Sequence, residues 1–314
     1  MSPSADHDQE SPAVQAVGLH KRYGRQPAVV DLSFAVSRGE VCALLGPNGA
    51  GKTSTIRMLV GLSRPDRGSS RLLGEPVSLG AAVLGRAGVL IDGPAFVPHL
   101  TGMQNLRLLW SAARQNWPPP ALGSALDLAG LGASIDRKVK GYSMGMKQRL
   151  MLAQALMRAP SVLILDEPAN GLDPAEVRAL RGRLNDLARN GAAVLVSSHQ
   201  LAEIQQLATH AVVLSHGSLV ASGALADLLG DAHAYQIEVD DPRRAADLLH
   251  RQPGVTGVAA RDGAVTVTGT GLLVGELVVA LVDAHVRVGA AHQPRQTLEE
   301  VFLQLTEGEE DAQD

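Results

Sequence analysis

Gly46-Pro47-Asn48-Gly49-Ala50-Gly51-Lys52-Thr53-Ser54 has the residue types needed to wrap a chain of phosphates. It fits G-x-x-x-x-G-K-[ST] at every fixed position. Glycines let successive backbone N–H groups turn inward where a Cβ would clash. Lys52 supplies a point charge for the β- and γ-phosphates, and Thr53 a hydroxyl for Mg²⁺. The stretch predicts binding of a nucleoside triphosphate.

Two acids follow downstream. Val162-Leu163-Ile164-Leu165-Asp166-Glu167-Pro168 is an apolar run of strand length ending in carboxylates. Asp166 can hold the Mg²⁺ shell that Thr53 also touches, and Glu167 can orient and polarise an attacking water. In Gly141-Tyr142-Ser143-Met144-Gly145-Met146, Ser143 suits a helix N-cap and Gly145 permits close backbone approach. Together they predict a second anion-binding helix end, informative through its place shortly before the two acids. Ser197-Ser198-His199 ends a later apolar run, and at the carboxyl edge of a parallel sheet His199 can contact a γ-phosphate.

Positioning these groups takes strands and helices in alternation. Val41–Leu45 reads as a buried strand feeding the loop, with a helix after it through Thr55, Ile56 and Leu59. Two strands, 13–19 and 29–36, precede it, and Pro65–Gly68 reads as a turn. Residues 77–158 are mostly helical by pattern, and Trp117-Pro118-Pro119-Pro120 separates two helices. Strand 162–165, helix 175–189 and strands 193–196 and 211–214 predict a parallel sheet with crossover helices. Beyond about Gly230 the order β-α-β-β-α-β-α suggests a small α+β module of split-βαβ type, with strand 286–289 and a last helix 298–305. That module carries no convergent catalytic cluster and reads as a packing or docking piece.

The chain has 314 residues, 45% of them hydrophobic, enough for one large core or two domains. A net charge of −4 and 3% aromatics argue against nucleic acid as a partner. A single cysteine, Cys42, excludes an internal disulfide framework. No apolar run reaches membrane-spanning length, and residues 1–11 lack a signal-peptide pattern. Residues 1–12 and the acidic end 307–314 read as disordered tails.

Taken in order, these motifs resemble the ATP-binding subunits of ABC transporters over about 13–230. The resemblance implies an α/β P-loop ABC cassette with a helical subdomain at about 90–158, followed by the accessory module 231–314. Its cofactors would be ATP and Mg²⁺. Its partners would be a second ATP-binding subunit, a homodimer in the simplest case, and an integral membrane permease. Its place would be cytoplasmic, on the inner face of the membrane. Ser143 and Gly145 would complete the ATP site of the other subunit, with Asp173 in the loop across the interface. Tyr23 would stack on adenine, and Lys52, Glu167 and His199 would serve hydrolysis. Two positions depart from the family pattern. Tyr142-Ser143-Met144-Gly145-Met146 stands where Leu-Ser-Gly-Gly-Gln is usual. Asp92 stands where the family usually has glutamine, keeping an oxygen ligand but adding negative charge near Mg²⁺. Acids there resemble ATPases of antibiotic self-resistance exporters, and Thr297–Phe302 resembles a segment of drug-exporter ATPases. The expectation is an export ATPase. The alternatives are an ABC ATPase acting on ribosomes or DNA without a transporter, and a substrate-phosphorylating kinase. Phe96, in the segment 92–105, is a candidate contact with the permease or an ordinary packing residue.

Overall fold

The computed structural model describes residues 11–113, 115–198, 200–229, 234–269, 271–293 and 298–301. Residues 1–10 and 302–314, including most of the expected tails, lie outside these. The chain divides into two compact units after Leu225.

The first unit opens with a hairpin, β1 (Val14–Tyr23) and β2 (Gln26–Val36), and continues through β3 (Val41–Leu45) and α1 (Lys52–Leu59). Strands β4 (Arg67–Leu72) and β5 (Glu75–Pro76) complete an antiparallel sheet of order β2-β1-β4-β5. The turn expected at 65–68 therefore runs straight into a strand at Arg67. Arg-Gly-Ser-Ser-Arg-Leu has only one apolar residue, so it carries little strand signal of its own. Its place is set by pairing with β1.

Next come β6 (Ala87–Leu90), α2 (Gly102–Ala112), α3 (Leu122–Ala129), α4 (Met144–Leu156) and β7 (Val162–Asp166). Then follow α5 (Pro174–Arg189), β8 (Ala193–Ser197), α6 (Leu201–Ile204), β9 (His210–Ser215) and β10 (Ser218–Ala224), and α7 (Leu225–Leu229) starts where the two units divide. The second sheet has the order β10-β9-β3-β8-β7-β6, parallel except for β10, the antiparallel partner of β9. Every residue of β3 and of β8 is buried, as expected for central strands covered on both faces. Cys42 lies there, and burial pushes its thiol up to about 12, so it behaves as a small hydrophobe.

Helix α1 lies in the core shared by the two sheets. Ile56 and Leu59 are fully buried with Leu19 and Leu32 of the hairpin and with Leu44, Ile164 and Leu195 of the parallel sheet. Each such side chain contributes about 1.5–3 kcal/mol by leaving water. That burial fixes the helix that follows the phosphate loop, and so fixes the loop.

In the second unit, β11 (Ala234–Val239), α8 (Pro242–Leu249), β12 (Val255–Arg261), β13 (Ala264–Gly269), α9 (Val274–Asp283) and β14 (Val288–His292) follow in turn. The sheet is antiparallel, ordered β12-β13-β11-β14. Alternate strand residues Ile237, Val239, Val265 and Val267 bury against Ala245 and Leu249 of α8 and Leu277 and Leu281 of α9. The expected strand 286–289 is displaced to 288–292. Val286 instead lies just past the end of α9, its N–H donating to the Leu281 carbonyl. Residues 298–301 are helical, and the rest of the expected last helix is outside the described residues.

Candidate functional site

The loop from Gly46 to Gly51 joins β3 to α1. Gly51 takes φ +99°, and a Cβ there would lie 2.4 Å from the Ala28 carbonyl oxygen. Only glycine fits that backbone. It is also the N-cap of α1, and no side chain caps the helix and no acid lies in its first turn. The first amides of α1 therefore face the loop without a side-chain acceptor, which suits an anion. Lys52 is 7% exposed. Its Nζ donates to the carbonyls of Gly46 at 2.6 Å and Pro47 at 3.1 Å. Burial lowers its pKa, while the charges of Glu167 and Asp166 oppose that shift.

Asp166, at the end of β7, meets this loop. Thr53 Oγ1 donates to Asp166 Oδ2 at 2.9 Å. Ser197, fully buried at the end of β8, donates its hydroxyl to Asp166 Oδ1 and accepts the Glu167 N–H at 3.0 Å. Glu167 itself takes φ +49°. Gln148 of α4 is buried and donates from Nε2 to the carbonyls of Glu167 at 3.4 Å and Pro168 at 3.0 Å. The corner carrying Glu167 is thus held from two sides.

Two cavities meet at this corner. One, of about 270 Å³, is bounded by Asn48, Gly49, Lys52, Thr53, Ser54 and the two acids. The other, of about 380 Å³, is bounded by Asp92, Met144, Gln148, Asn170, Gly171 and the same acids. A hydroxyl and a carboxylate in contact form a hard oxygen donor set, the kind that suits Mg²⁺. The bare helix end and the glycine backbone suit polyphosphate. The residues present fit the group that their sequence implies.

Ser143 is the N-cap of α4 and accepts the Met146 N–H at 3.2 Å. A Cβ on Gly145 would stand 2.9 Å from the Gly171 carbonyl oxygen, so the tip of α4 lies directly on the loop before α5. Asp173 caps α5, accepting the N–H groups of Ala175 and Glu176 at 2.9 and 2.8 Å. Within one chain neither Ser143 nor Gly145 borders the loop-side cavity.

Tyr23 ends β1 and is 50% exposed. Its hydroxyl pKa is lowered by a hydrogen bond with Ser54, then by Ser63 and the charges of Lys21 and Arg57. The loop and the expected adenine contact are therefore neighbours. Asp92 follows β6 at φ +60°, its carboxylate paired with Arg57 of α1 at 2.7 Å. His199 lies outside the described residues.

Ser197, Gln148 and Arg57 escape a motif-by-motif reading. Ser197 pairs in register with Asp166 across β7 and β8. A parallel alignment of the two apolar runs contains that signal. Gln148 lies three residues from Gly145 and four from Leu152, a polar residue in the buried stripe of α4.

The family model described as ABC transporter matches residues 29–170. Nod factor export ATP-binding protein I of Paraburkholderia xenovorans (strain LB400) is 36% identical over 310 residues, covering 94% of this chain and 97% of the relative. Bacitracin transport ATP-binding protein BcrA of Enterococcus faecalis is 33% identical over 298 residues, covering 94% of this chain and 96% of the relative. A solved structure described as the ATP-binding subunit of an ABC transporter is 32% identical, with a TM-score of 0.63. It covers 69% of this chain and 91% of that one. Similarity that runs nearly the full length, with a phosphate loop set against a carboxylate corner, places this chain in the ABC transporter family, among its ATP-binding, transport-coupled ATPases.

Proposed function

We propose that this chain hydrolyses ATP as one of a pair of subunits and so drives export through a separate membrane permease. The observation that carries the reading is the Thr53–Asp166 hydrogen bond, set between Lys52 and Glu167. Lys52 and the amide end of α1 bind the triphosphate. Thr53 and Asp166 would hold Mg²⁺, which when bound supplies positive charge against the phosphate oxygens. Glu167 orients the attacking water and takes up its proton. Ser197 and Gln148 keep that corner in place. Tyr23 stacks on adenine, and His199 contacts the γ-phosphate. Ser143 and Gly145, which do not border their own loop-side cavity, complete the site of the second subunit.

Two relatives are named for bacitracin transport and Nod factor export. The cargo proposed here is accordingly a drug, an antibiotic or a related compound. No helix among the described residues is long and apolar enough to cross a membrane, so the passage would belong to the permease. The subunit would work on the inner face of the membrane.

Glu167→Gln is expected to bind ATP while turnover falls by about 10²–10⁴-fold, the usual worth of a general base. With ATP it should run at twice the mass of one chain in light scattering. Ordinary turnover in this variant would remove Glu167 from the water-activating role. Co-purification with a multi-span membrane protein is expected. Recovery with ribosomes or DNA instead would overturn the export reading.

A further inference from the structure

Helix α1 faces two acids with two residues four positions apart, one above the other on the same face. Thr53 meets Asp166 at the end of β7, and Arg57 meets Asp92 just beyond the end of β6. These strands are parallel neighbours, with Leu90 opposite Leu165. Asp92 therefore borders the same cavity as Asp166 and Glu167. Asp166 and Glu167 border the loop-side cavity and Asp92 the adjoining one, so all three carboxylates add negative charge near a triphosphate, while among the described residues Lys52 is the cation that borders the loop-side cavity. Arg57 supplies the second cation, 2.7 Å from the Asp92 carboxylate.

We propose that Arg57 is a positioning residue for nucleotide binding: it neutralises Asp92 and draws that carboxylate toward α1, so that an acid is tolerated beside the triphosphate. The pair is half-exposed, at 40% for Arg57 and 58% for Asp92. As a contribution to stability it is therefore small. Its value lies in the charge that the nucleotide meets. This role rests on the glycine loop being the ATP site.

The test is equilibrium titration of the full chain with ATP and with ADP, both with magnesium chelated, at low and high salt. Arg57→Met keeps the apolar stem and removes the charge. It is expected to weaken ATP binding by roughly threefold to tenfold, and ADP binding less, because ADP carries one charge fewer. The loss should shrink as salt screens the carboxylate. Arg57→Lys should retain most of the affinity. Adding Asp92→Asn to Arg57→Met should restore ATP binding, which a merely structural role for Arg57 would not predict. Unaltered ATP affinity in Arg57→Met, or a loss that Asp92→Asn leaves unrepaired, would overturn the proposal. Lys52→Ala separates the two readings. If it abolishes binding while Arg57→Met has no effect, the counter-ion role alone fails. If it binds ATP like the parent chain, the loop is not the ATP site and both fail.

Discussion

Ser197 shows how one small side chain can hold a corner that carries two acids. Its hydroxyl gives its proton to Asp166 and receives the Glu167 N–H, so both acids depend on it. Ser197→Ala leaves that N–H without its acceptor and removes one partner from Asp166, a loss of about 1–3 kcal/mol for buried polar groups. Chemical denaturation should show the lower stability, and steady-state assays should show kcat falling more than KM rises. Lys52, Thr53, Asp166 and Glu167 were legible in the sequence because each belongs to a short local pattern. Ser197 was not, because its partners lie 30 and 31 residues away and strand register alone brings them together. Asp92 was legible as a departure from the family pattern, but its partner was not. Arg57 lies 35 residues earlier, on a different element.

At the level of elements, the Ser143 cap and the buried runs were the readable features, while the caps at Thr101 and Asp173 emerge from the coordinates. Ser143 caps α4 and Asp173 caps α5, where it forms a capping box with Glu176. Thr101 and Gln104 form another box at the start of α2. The apolar runs at 41–45, 162–165 and 193–196 became central parallel strands. Strands β4, β10 and β14 were missed or displaced because Ser, Gly, Ala and Arg dominate them, and neighbours rather than side-chain pattern define them. The meeting of α4 with the loop before α5 needs coordinates to be seen. Gly145→Ala would place a methyl 2.9 Å from the Gly171 carbonyl oxygen, an overpacking cost of about 1–3 kcal/mol. The midpoint of thermal unfolding should fall accordingly. Glu167→Gln-type trapping of an ATP-bound pair should be lost in the double variant, read by light scattering. Persistence of the trapped pair would mean that the α4 tip has room to spare.

On the scale of the whole molecule, the chain carries two units with separate cores. The second buries Ile237, Val265, Leu249 and Leu281 completely, in a core of its own. Expressed alone, residues 226–303 are expected to unfold cooperatively on heating, checked by circular dichroism. A chain ending after Leu229 is expected to bind ATP like the full protein, checked by calorimetric titration. A noncooperative fragment would mean that the second core is not self-sufficient. Gln148, in the second turn of α4, grips the backbone on either side of the Glu167–Pro168 bond. Any displacement of the tip of α4 therefore tugs on the Glu167 corner of its own chain. In the proposed pair, where each tip rests on the neighbour's nucleotide, one firing would reset the readiness of the other, and alternation rather than independent ticking would be the natural rhythm.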